Sequence, residues 1–208
     1  GPTYALVTHL WNNANNNIFT NCTFTAPANG TATTQAPFSI SGTEVSATAT
    51  GQSGSNNVLD NCSMNNGYYG ITMVGNSTTP NTGNQIVNCS IRDFYFYGSY
   101  NQYNNGTIIS NNLIERPTRT TFTTSCYGIY LTTACSNFLV EKNKIRNTWV
   151  SNPSSTGTQY SIACVVSATL GNENKIYNNL VSDIQFSGTI YGLYFTTTNY
   201  LKAYHNTI

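Results

Sequence analysis

The chain has few groups that could do acid–base chemistry, and many of them gather in one region. It contains eight Lys/Arg and seven Asp/Glu in 208 residues. Two carboxylates that face each other can hydrolyse a glycosidic bond, one as the acid and the other as base or nucleophile. If the protein is an enzyme, its candidate catalytic residues are Arg92, Asp93, Arg116 and Asp183. The sequence by itself assigns none of them a catalytic role.

A recurring motif sets the register of these charges. Each copy reads apolar-x-x-(Cys/Asn)-x-apolar, and the spacing between copies varies from 23 to 40 residues. The central residues are Cys22, Cys62, Cys89, Asn112, Asn143, Asn179 and Asn206. This variable spacing indicates coils of three short strands with loops inserted between them. Asn suits a turn because it tolerates the left-handed backbone region, and stacked Asn side chains can bond one another as a ladder.

Two columns of charge follow this motif. Three positions after the central residue stand Arg92, Glu115 and Arg146, which would alternate in sign on successive coils. One position later, Asp93 and Arg116 would again be neighbours. Such cross-coil pairs are worth at most ~1 kcal/mol each. We therefore expect an ion-pair ladder at this edge rather than an active site.

The carboxylates are too dispersed for a metal or a hydrolytic centre. Asp93 and Asp183 would lie three coils, roughly 14 Å, apart, beyond the ~5–9.5 Å of paired glycosidase carboxylates. A Ca²⁺ site needs several converging carboxylates. The six cysteines form no C-x-x-C pair, and free thiols are expected for Cys126 and Cys135. No metal and no cofactor are predicted.

Exposed aromatic side chains give the best indication of a binding role. A second repeated segment with period-two alternation occupies residues 69–73, 127–131, 160–164 and 191–195, with 94–98 filling its place in the third coil. If Ile129 points inward, Tyr127 does too, and Tyr130 points to solvent. Flat rings beside Asn and Thr suit sugar stacking or a protein interface. The ligand-binding candidates are Tyr95, Tyr97, Tyr130, Tyr194 and Trp149.

Stacked coils with inward aliphatic columns and an Asn column at a turn resemble the right-handed parallel β-helix of the pectin-lyase-like superfamily. The resemblance covers roughly residues 17–24 and 56–208. It implies an all-β fold, a right-handed single-stranded parallel β-helix of about seven coils with an Asn/Cys ladder. Enzymes on this fold include polysaccharide lyases, which use Arg or Lys as a base near acidic Ca²⁺ ligands, and glycoside hydrolases, which use grouped Asp.

Phrases such as Tyr-Gly-Ile-Tyr-Leu at 127–131 resemble the large repetitive β-helix proteins of Bacteroidetes-type bacteria, which are commonly exported to the outer surface. That resemblance implies a secreted or cell-surface structural or adhesive module that binds a glycan or a partner protein along one face. The alternative is a polysaccharide lyase or glycoside hydrolase that acts on an extracellular polysaccharide.

We expect residues 1–208 to be a single β-helix domain within a longer chain, continued or capped beyond residue 208. A long insertion is predicted at 25–55, with extended pieces at 38–40 and 45–50, and shorter insertions at 99–105, 117–125 and 148–159. His205 takes the place of Asn at a turn.

The composition limits the possible partners. The net charge of +1 and a charged fraction of 7% leave too few cations to neutralise a run of phosphates, so no nucleic acid is expected. No apolar run approaches the ~18 residues of a membrane span, so no membrane insertion is expected. The remaining partners are an extracellular glycan, a surface protein, or further β-helix coils in end-to-end contact.

Overall fold

The protein is a stack of short parallel strands. The computed structural model describes residues 4–208. Within that range the chain forms 22 strands and no helix. Every pairing between these strands is parallel, because each coil lies on the one before it in the same direction.

Three sheets run the length of the stack. Sheet A contains β1 (Ala5–Leu10), β4 (Gln35–Ile40), β7 (Tyr69–Val74), β11 (Tyr97–Gln102), β15 (Ser125–Leu131), β18 (Thr158–Cys164) and β21 (Thr189–Phe195). Sheet B contains β2 (Ile18–Thr20), β5 (Val58–Asp60), β9 (Gln85–Val87), β13 (Ile108–Ser110), β16 (Leu139–Glu141), β19 (Asn174–Tyr177) and β22 (Leu201–Tyr204). Sheet C contains β3 (Thr23–Thr25), β6 (Ser63–Asn65), β10 (Ser90–Arg92), β14 (Leu113–Glu115), β17 (Lys144–Arg146) and β20 (Leu180–Ser182). Two further strands, β8 (Asn81–Thr82) and β12 (Asn104–Asn105), pair with each other.

Each coil runs from sheet B through a two-residue turn into sheet C, and from there through a loop into sheet A. The predicted all-β parallel β-helix is therefore confirmed. The turn begins with a residue in the left-handed region, such as Asn111 at φ 57°. His205 occupies this position at φ 55°, as predicted.

The asparagine ladder, Asn112, Asn143, Asn179 and Asn206, lies inside this turn. The Nδ2 group of Asn112 donates to Oδ1 of Asn143 at 2.9 Å, and Asn143 donates to Asn179 at 3.0 Å. Asn179 donates to Asn206 at 2.9 Å. Because Asn112, Asn143 and Asn179 are almost fully buried, these bonds satisfy amides that would otherwise be costly to bury.

A second asparagine column lies at the start of sheet B. The backbone N–H of Asn17 donates to Oδ1 of Asn57 at 3.0 Å, and that of Asn57 donates to Asn84 at 2.9 Å. Asn174 accepts from the backbone of Phe138 in the same way. These residues stand just before the apolar residue of each motif, so the spacing that reveals the first column also marks the second.

The strands change one predicted insertion and add detail to another, in which the extended piece predicted at 38–40 lies within β4. Residues 99–105 are not a loop, because they belong to β11 and β12. The predicted 25–55 insertion contains a full strand of sheet A, β4, which pairs with β1 on one side and β7 on the other. Residues 45–50 form turns rather than an extended piece. Among the described residues, the first strand of the β-helix is therefore β1, which precedes the first copy of the motif.

The third-coil register of sheet A also differs from the prediction. Tyr97 pairs with Tyr69 and Tyr127, so the strand occupies Tyr97–Gln102 instead of 94–98. The Tyr-Gly dipeptide marks this alignment, because Gly98 and Gly128 occupy equivalent places. A Cβ on Gly128 would collide with the carbonyl oxygen of Ser161, so a residue without a side chain fits this close approach.

The predicted inward direction of the Tyr127 side chain is wrong, and Gly128 is again involved. Gly128 and Ile129 are both buried, so the in–out alternation is interrupted between them. Tyr127 and Tyr130 consequently lie on the same outer side of sheet A, with their ring centroids 5.0 Å apart. The strict period-two rule therefore fails in this strand.

Candidate functional site

The charged edge of sheet C is an ion-pair ladder, as expected. One oxygen of Glu115 lies 3.1 Å from Nε of Arg92 and the other lies 3.2 Å from Nε of Arg146. The three residues are register partners on successive strands. The Glu115 side chain is only 5% exposed, so both cations screen it from solvent.

The other three residues proposed as catalytic if the protein is an enzyme, Asp93, Arg116 and Asp183, lie away from these ion pairs. Asp93 accepts hydrogen bonds from the backbone N–H and the hydroxyl of Thr118, at 2.9 and 2.7 Å. Asp183 is exposed and accepts from Ser182 at 3.0 Å. The predicted pairing of Asp93 with Arg116 is wrong, because the Arg116 side chain turns into the interior and is fully buried. The four residues therefore do not converge as a catalytic centre would require.

Arg116 lies among carbonyl groups and aromatic rings. Its Nε donates to Thr148 O at 2.7 Å, and Nη1 donates to Tyr95 O at 2.9 Å. The guanidinium carbon lies 4.7 Å from the ring centroid of Trp149 and 5.0 Å from that of Phe122. Burial lowers the pKa of Arg116. The rings stabilise the cation through their faces, so this arginine has a packing role.

Arg119, which the sequence did not single out, fixes the neighbouring loop. It is almost fully buried, and its Nη2 and Nη1 groups donate at 2.7 Å to Gly30 O and Asp93 O. Nε donates to Thr121 O at 2.8 Å, and the guanidinium lies over the Tyr95 ring. The loop has no repeating pattern of apolar residues, so nothing in its amino-acid sequence distinguishes this buried arginine from an exposed one.

Trp149 is not an exposed ligand-binding residue, and that prediction is wrong. Its side chain is fully buried. The ring stacks on Phe186 at 4.6 Å and on Phe122 at 5.5 Å, and Nε1 donates to Gln159 at 2.9 Å. The insertion that contains Trp149 folds back over the gap between sheets C and A, which gives the indole a place in the core.

Tyr95 and Tyr97 are both half-buried, but they lie in different places. Tyr97 belongs to sheet A, whereas Tyr95 lies in the loop before it and its hydroxyl approaches Phe122 O at 3.4 Å. Tyr130 and Tyr194 lie on the outer side of sheet A and are half-buried.

The outer side of sheet A carries a column of stacked tyrosines. Adjacent ring centroids are 4.5–5.6 Å apart, and the planes deviate by 7–26° from parallel. The column consists of Tyr69, Tyr97, Tyr127, Tyr160 and Tyr191. Tyr100, Tyr130 and Tyr194 flank it. We call the part of this surface from β11 to β21 the tyrosine face.

Stacking limits how the tyrosine face can bind a ligand. Both faces of the Tyr127 ring are covered, one by Tyr97 and the other by Tyr160. A ligand therefore meets ring edges and hydroxyl groups in the middle of the column. Tyr191 has no ring beyond it among the described residues and is 40% exposed. Burial raises the pKa of Tyr127 to about 12, so its phenol remains a proton donor at neutral pH.

A loop, residues 41–50, covers the outer side of sheet A over its first coils. Ala47 in this loop is fully buried and packs in a cluster with Ala36 and Tyr69. Beneath it, Ser39 and Thr72 hydrogen bond at 2.8 Å, and both are fully buried. Thr72 is therefore buried although it pairs with Tyr100 on the outer side of sheet A, because residues 41–50 lie over it.

The tyrosine face is uncharged. None of the seven strands of sheet A, within the residues that the structure describes, contains Asp, Glu, Lys or Arg. The three charged side chains of the ion-pair edge, Arg92, Glu115 and Arg146, lie on sheet C. A ligand on this face would therefore be recognised through neutral groups.

A pocket of about 640 Å³ opens beside the tyrosine face, at the start of β15 and β18. Its walls supply neutral hydrogen-bonding groups and two aromatic rings. We call it the hydroxyl pocket; it is lined by Tyr95, Phe122, Thr123, Thr124, Ser125, Asn152, Ser155, Thr156, Gly157 and Thr158. Arg119 positions one wall through Thr121. The sequence showed this wall only as a Thr-rich stretch in an insertion.

Two further features bear on the chemistry. Over residues 4–208, no three His, Cys, Asp or Glu side chains are grouped closely enough to hold a metal ion. In the same range, no helix is long and apolar enough to span a bilayer.

Comparison with known proteins identifies the fold family of the chain. Neither the curated proteins nor the solved structures include a match to it. The family model described as the right-handed beta helix region matches residues 8–208. That match covers nearly the whole chain and agrees with the three parallel sheets. The protein belongs to the right-handed β-helix family.

Proposed function

We propose that this chain is a secreted or cell-surface adhesive module that binds a neutral extracellular glycan along the tyrosine face and in the hydroxyl pocket. The observation that supports this most strongly is the column of stacked tyrosines on a sheet without charged residues. A carbohydrate presents hydroxyl groups and apolar ring surfaces, and tyrosine offers a complement to both.

The pocket supports the same proposal. Ligand sites combine aromatic walls with a few oriented polar groups, and here Tyr95 and Phe122 stand beside Thr, Ser and Asn side chains. The pocket adjoins the column because Ser125 and Thr158 each lie two residues before a stacked tyrosine. One glycan chain could therefore follow the rod and place a residue or branch in the pocket.

The surface location rests on composition and on resemblance. Only 7% of the residues are charged, and the repeated phrases resemble exported β-helix proteins of Bacteroidetes-type bacteria. The alternative function, a polysaccharide lyase or glycoside hydrolase, has no comparable support. Among its candidate residues, Arg92 forms an ion pair with Glu115 and Asp93 accepts a hydrogen bond from Thr118. Arg116 is buried, and Asp183 accepts a hydrogen bond from Ser182 on the surface.

The test is binding to a panel of neutral and acidic polysaccharides, followed by titration of any ligand with hydroxyl-removal variants. Each of three variants keeps the aromatic ring and removes one phenolic hydroxyl group: Tyr127→Phe, Tyr130→Phe and Tyr160→Phe. We expect at least one of them to weaken binding by about 3–10-fold, because a neutral hydrogen bond contributes about 0.5–1.5 kcal/mol. Affinity should change little with salt, since the site carries no charge.

Tyr204→Phe is the matched control, because Tyr204 stacks on Tyr177 on the outer side of sheet B and should leave binding unchanged. Binding only to acidic polysaccharides would contradict the proposal, as would equal losses in Tyr204→Phe and the three test variants. Capture of a surface protein with no glycan binding would replace the glycan by a protein partner.

A further inference from the structure

The first three coils replace the ladder asparagine by cysteine, and two of these thiols, those of Cys62 and Cys89, form the equivalent hydrogen bond. The Sγ–H group of Cys62 donates to Phe19 O in the preceding coil at 3.3 Å. The Nδ2 group of Asn112 donates to Ile86 O in the preceding coil in the same way. Cys89 likewise donates to Leu59 O at 3.4 Å, so the thiols of Cys62 and Cys89 point toward the coil before them, whereas Cys22 donates to Thr20 O in its own coil.

Cys22 and Cys62 are aligned on adjacent coils. The strands on both sides of the turn pair in register, with Thr20 opposite Asp60 and Thr23 opposite Ser63. Neighbouring parallel strands lie about 4.8 Å apart, and a disulfide joins Cα atoms that are about 4.4–6.8 Å apart. Burial raises the pKa of the Cys62 thiol, and Cys22 is near enough to contribute to that shift. The register therefore brings the two Cα atoms to a separation that a disulfide spans.

Accessibility distinguishes this pair from its neighbours. Cys22 is half-buried, whereas Cys62 and Cys89 are 1% and 2% exposed. Cys126, Cys135 and Cys164 are fully buried in the core. All six cysteines lie within the described residues and are free thiols. A soluble oxidant can therefore reach Cys22, and Cys62 is the thiol directed at it.

We propose that Cys22 and Cys62 form an oxidation site, in which a low-molecular-weight disulfide converts the two thiols into one disulfide that ties the first coil to the second. The Cys22 thiolate attacks the small disulfide, which forms a mixed disulfide and releases one small thiolate. The Cys62 thiolate then attacks Sγ of Cys22 and releases the second. Two protein thiols are oxidised and one small disulfide is reduced to two small thiols, which take up the two protons that the protein thiols lose.

The bond would close a loop of about 40 residues that contains β4 and the segment covering Tyr69. Restricting a loop of this length in the unfolded chain stabilises the folded state. We expect the midpoint of thermal unfolding to rise by about 5–10 °C on oxidation. The site is independent of glycan binding, so either proposal can fail without the other.

The experiment is oxidation of the native chain with oxidised glutathione, followed by alkylation and peptide mapping without reductant. We expect a peptide pair linked through Cys22 and Cys62, with the other four cysteines alkylated. A Cys62–Cys89 link, a chain-to-chain dimer through Cys22, or six alkylated thiols would each overturn the proposal. The mapping uses the unaltered protein, so it does not depend on a variant that folds.

Two substitutions sharpen the result. Cys62→Ser should leave Cys22 as a stable glutathione adduct, detected by intact mass, and should abolish the rise in the unfolding midpoint. Cys89→Ser, the matched control one coil further along, should leave the Cys22–Cys62 link intact. An adduct-free Cys22 in Cys62→Ser would show that the thiol is not reachable and would contradict the proposal.

Discussion

The rings of Tyr127 and Tyr160 stack with their centroids 4.5 Å apart and their planes 7° from parallel. The two residues are register partners in adjacent strands of sheet A, so the ~4.8 Å spacing of the strands sets the distance between the rings. A stacked aromatic pair contributes about 0.5–1.5 kcal/mol beyond the area that it buries. The tyrosine face is therefore part of the rod's stability as well as its proposed ligand surface.

Substitution of Tyr160 should separate these two roles. Tyr160→Phe keeps both stacking contacts, so the free energy of unfolding should change by less than about 0.5 kcal/mol. Tyr160→Ala removes the ring between Tyr127 and Tyr191 and should lower that free energy by about 2 kcal/mol. Urea denaturation measures both. Equal losses in the two variants would mean that stacking contributes little.

The ladder position of Asn143 should accept cysteine better than alanine. Asn143 donates to Ile109 O and accepts from the backbone N–H of Asn112. Asn143→Ala leaves buried polar groups unpaired and should cost about 2–3 kcal/mol of stability. Asn143→Cys should cost less, because Cys62 and Cys89 make equivalent bonds in the same column. Denaturant unfolding of the two variants tests this order, and a cysteine variant as unstable as the alanine one would refute it.

The burial of Trp149 can be read by fluorescence. Trp149 is fully buried, whereas Trp11, the other tryptophan of the chain, is 43% exposed. Trp11→Phe should therefore leave a blue-shifted emission that resists quenching by acrylamide. Trp149→Phe should leave a quenchable emission and should lower stability by about 1–3 kcal/mol, because Gln159 loses a hydrogen bond and the core loses volume. Easy quenching in Trp11→Phe would contradict the buried position.

Glu115 should contribute more to the free energy of unfolding than an ordinary surface carboxylate does. Glu115→Gln removes the charge that lies between Arg92 and Arg146, and we expect a loss of about 1–2 kcal/mol at low salt, from two pairs of about 1 kcal/mol or less each. The loss should shrink as salt is added. Glu173→Gln is the control, since Glu173 forms an ion pair with the exposed Lys202 at 3.2 Å, and its effect should be smaller. A larger loss in the control would contradict the ladder's contribution.

His9 should make stability fall in mild acid. Its Nε2 hydrogen bonds with Ser41 Oγ at 2.7 Å, and burial lowers the pKa of His9 below its ordinary value of 6.5. The unfolded chain then binds the proton more readily, so stability is full above about pH 6.5 and is lost as the pH falls toward the folded pKa. Unfolding measured from pH 7 to pH 5 should show a steeper decline for the native protein than for His9→Gln. Parallel curves would exclude this contribution.

The fold was predictable because its signal is local. Each coil repeats the motif around residues such as Asn112, and one inward column can be read directly from the spacing. The pairing of Arg92 with Glu115 followed from the same register, because residues at equal distance from the turn meet on adjacent strands.

The position of a side chain within sheet A was not predictable by that rule. Period-two alternation assumes an uninterrupted strand, whereas Gly128 and Ile129 both face inward and turn Tyr127 to the outside. Loops carry no period at all, so the burial of Arg116 and Trp149 could not be read from their neighbours in the chain.

The sequence by itself determined the architecture: stacked parallel coils, an inward Asn/Cys column at the turn and an ion-pair edge three residues later. Only the tertiary structure decided which surface is open. It did so by folding residues 41–50 over the first coils of sheet A, by burying Trp149 and Arg116 between sheets C and A, and by stacking Tyr97 on Tyr127. The physical reason is that a repeating strand is specified by its own residues, whereas a loop takes its place from the surfaces against which it packs.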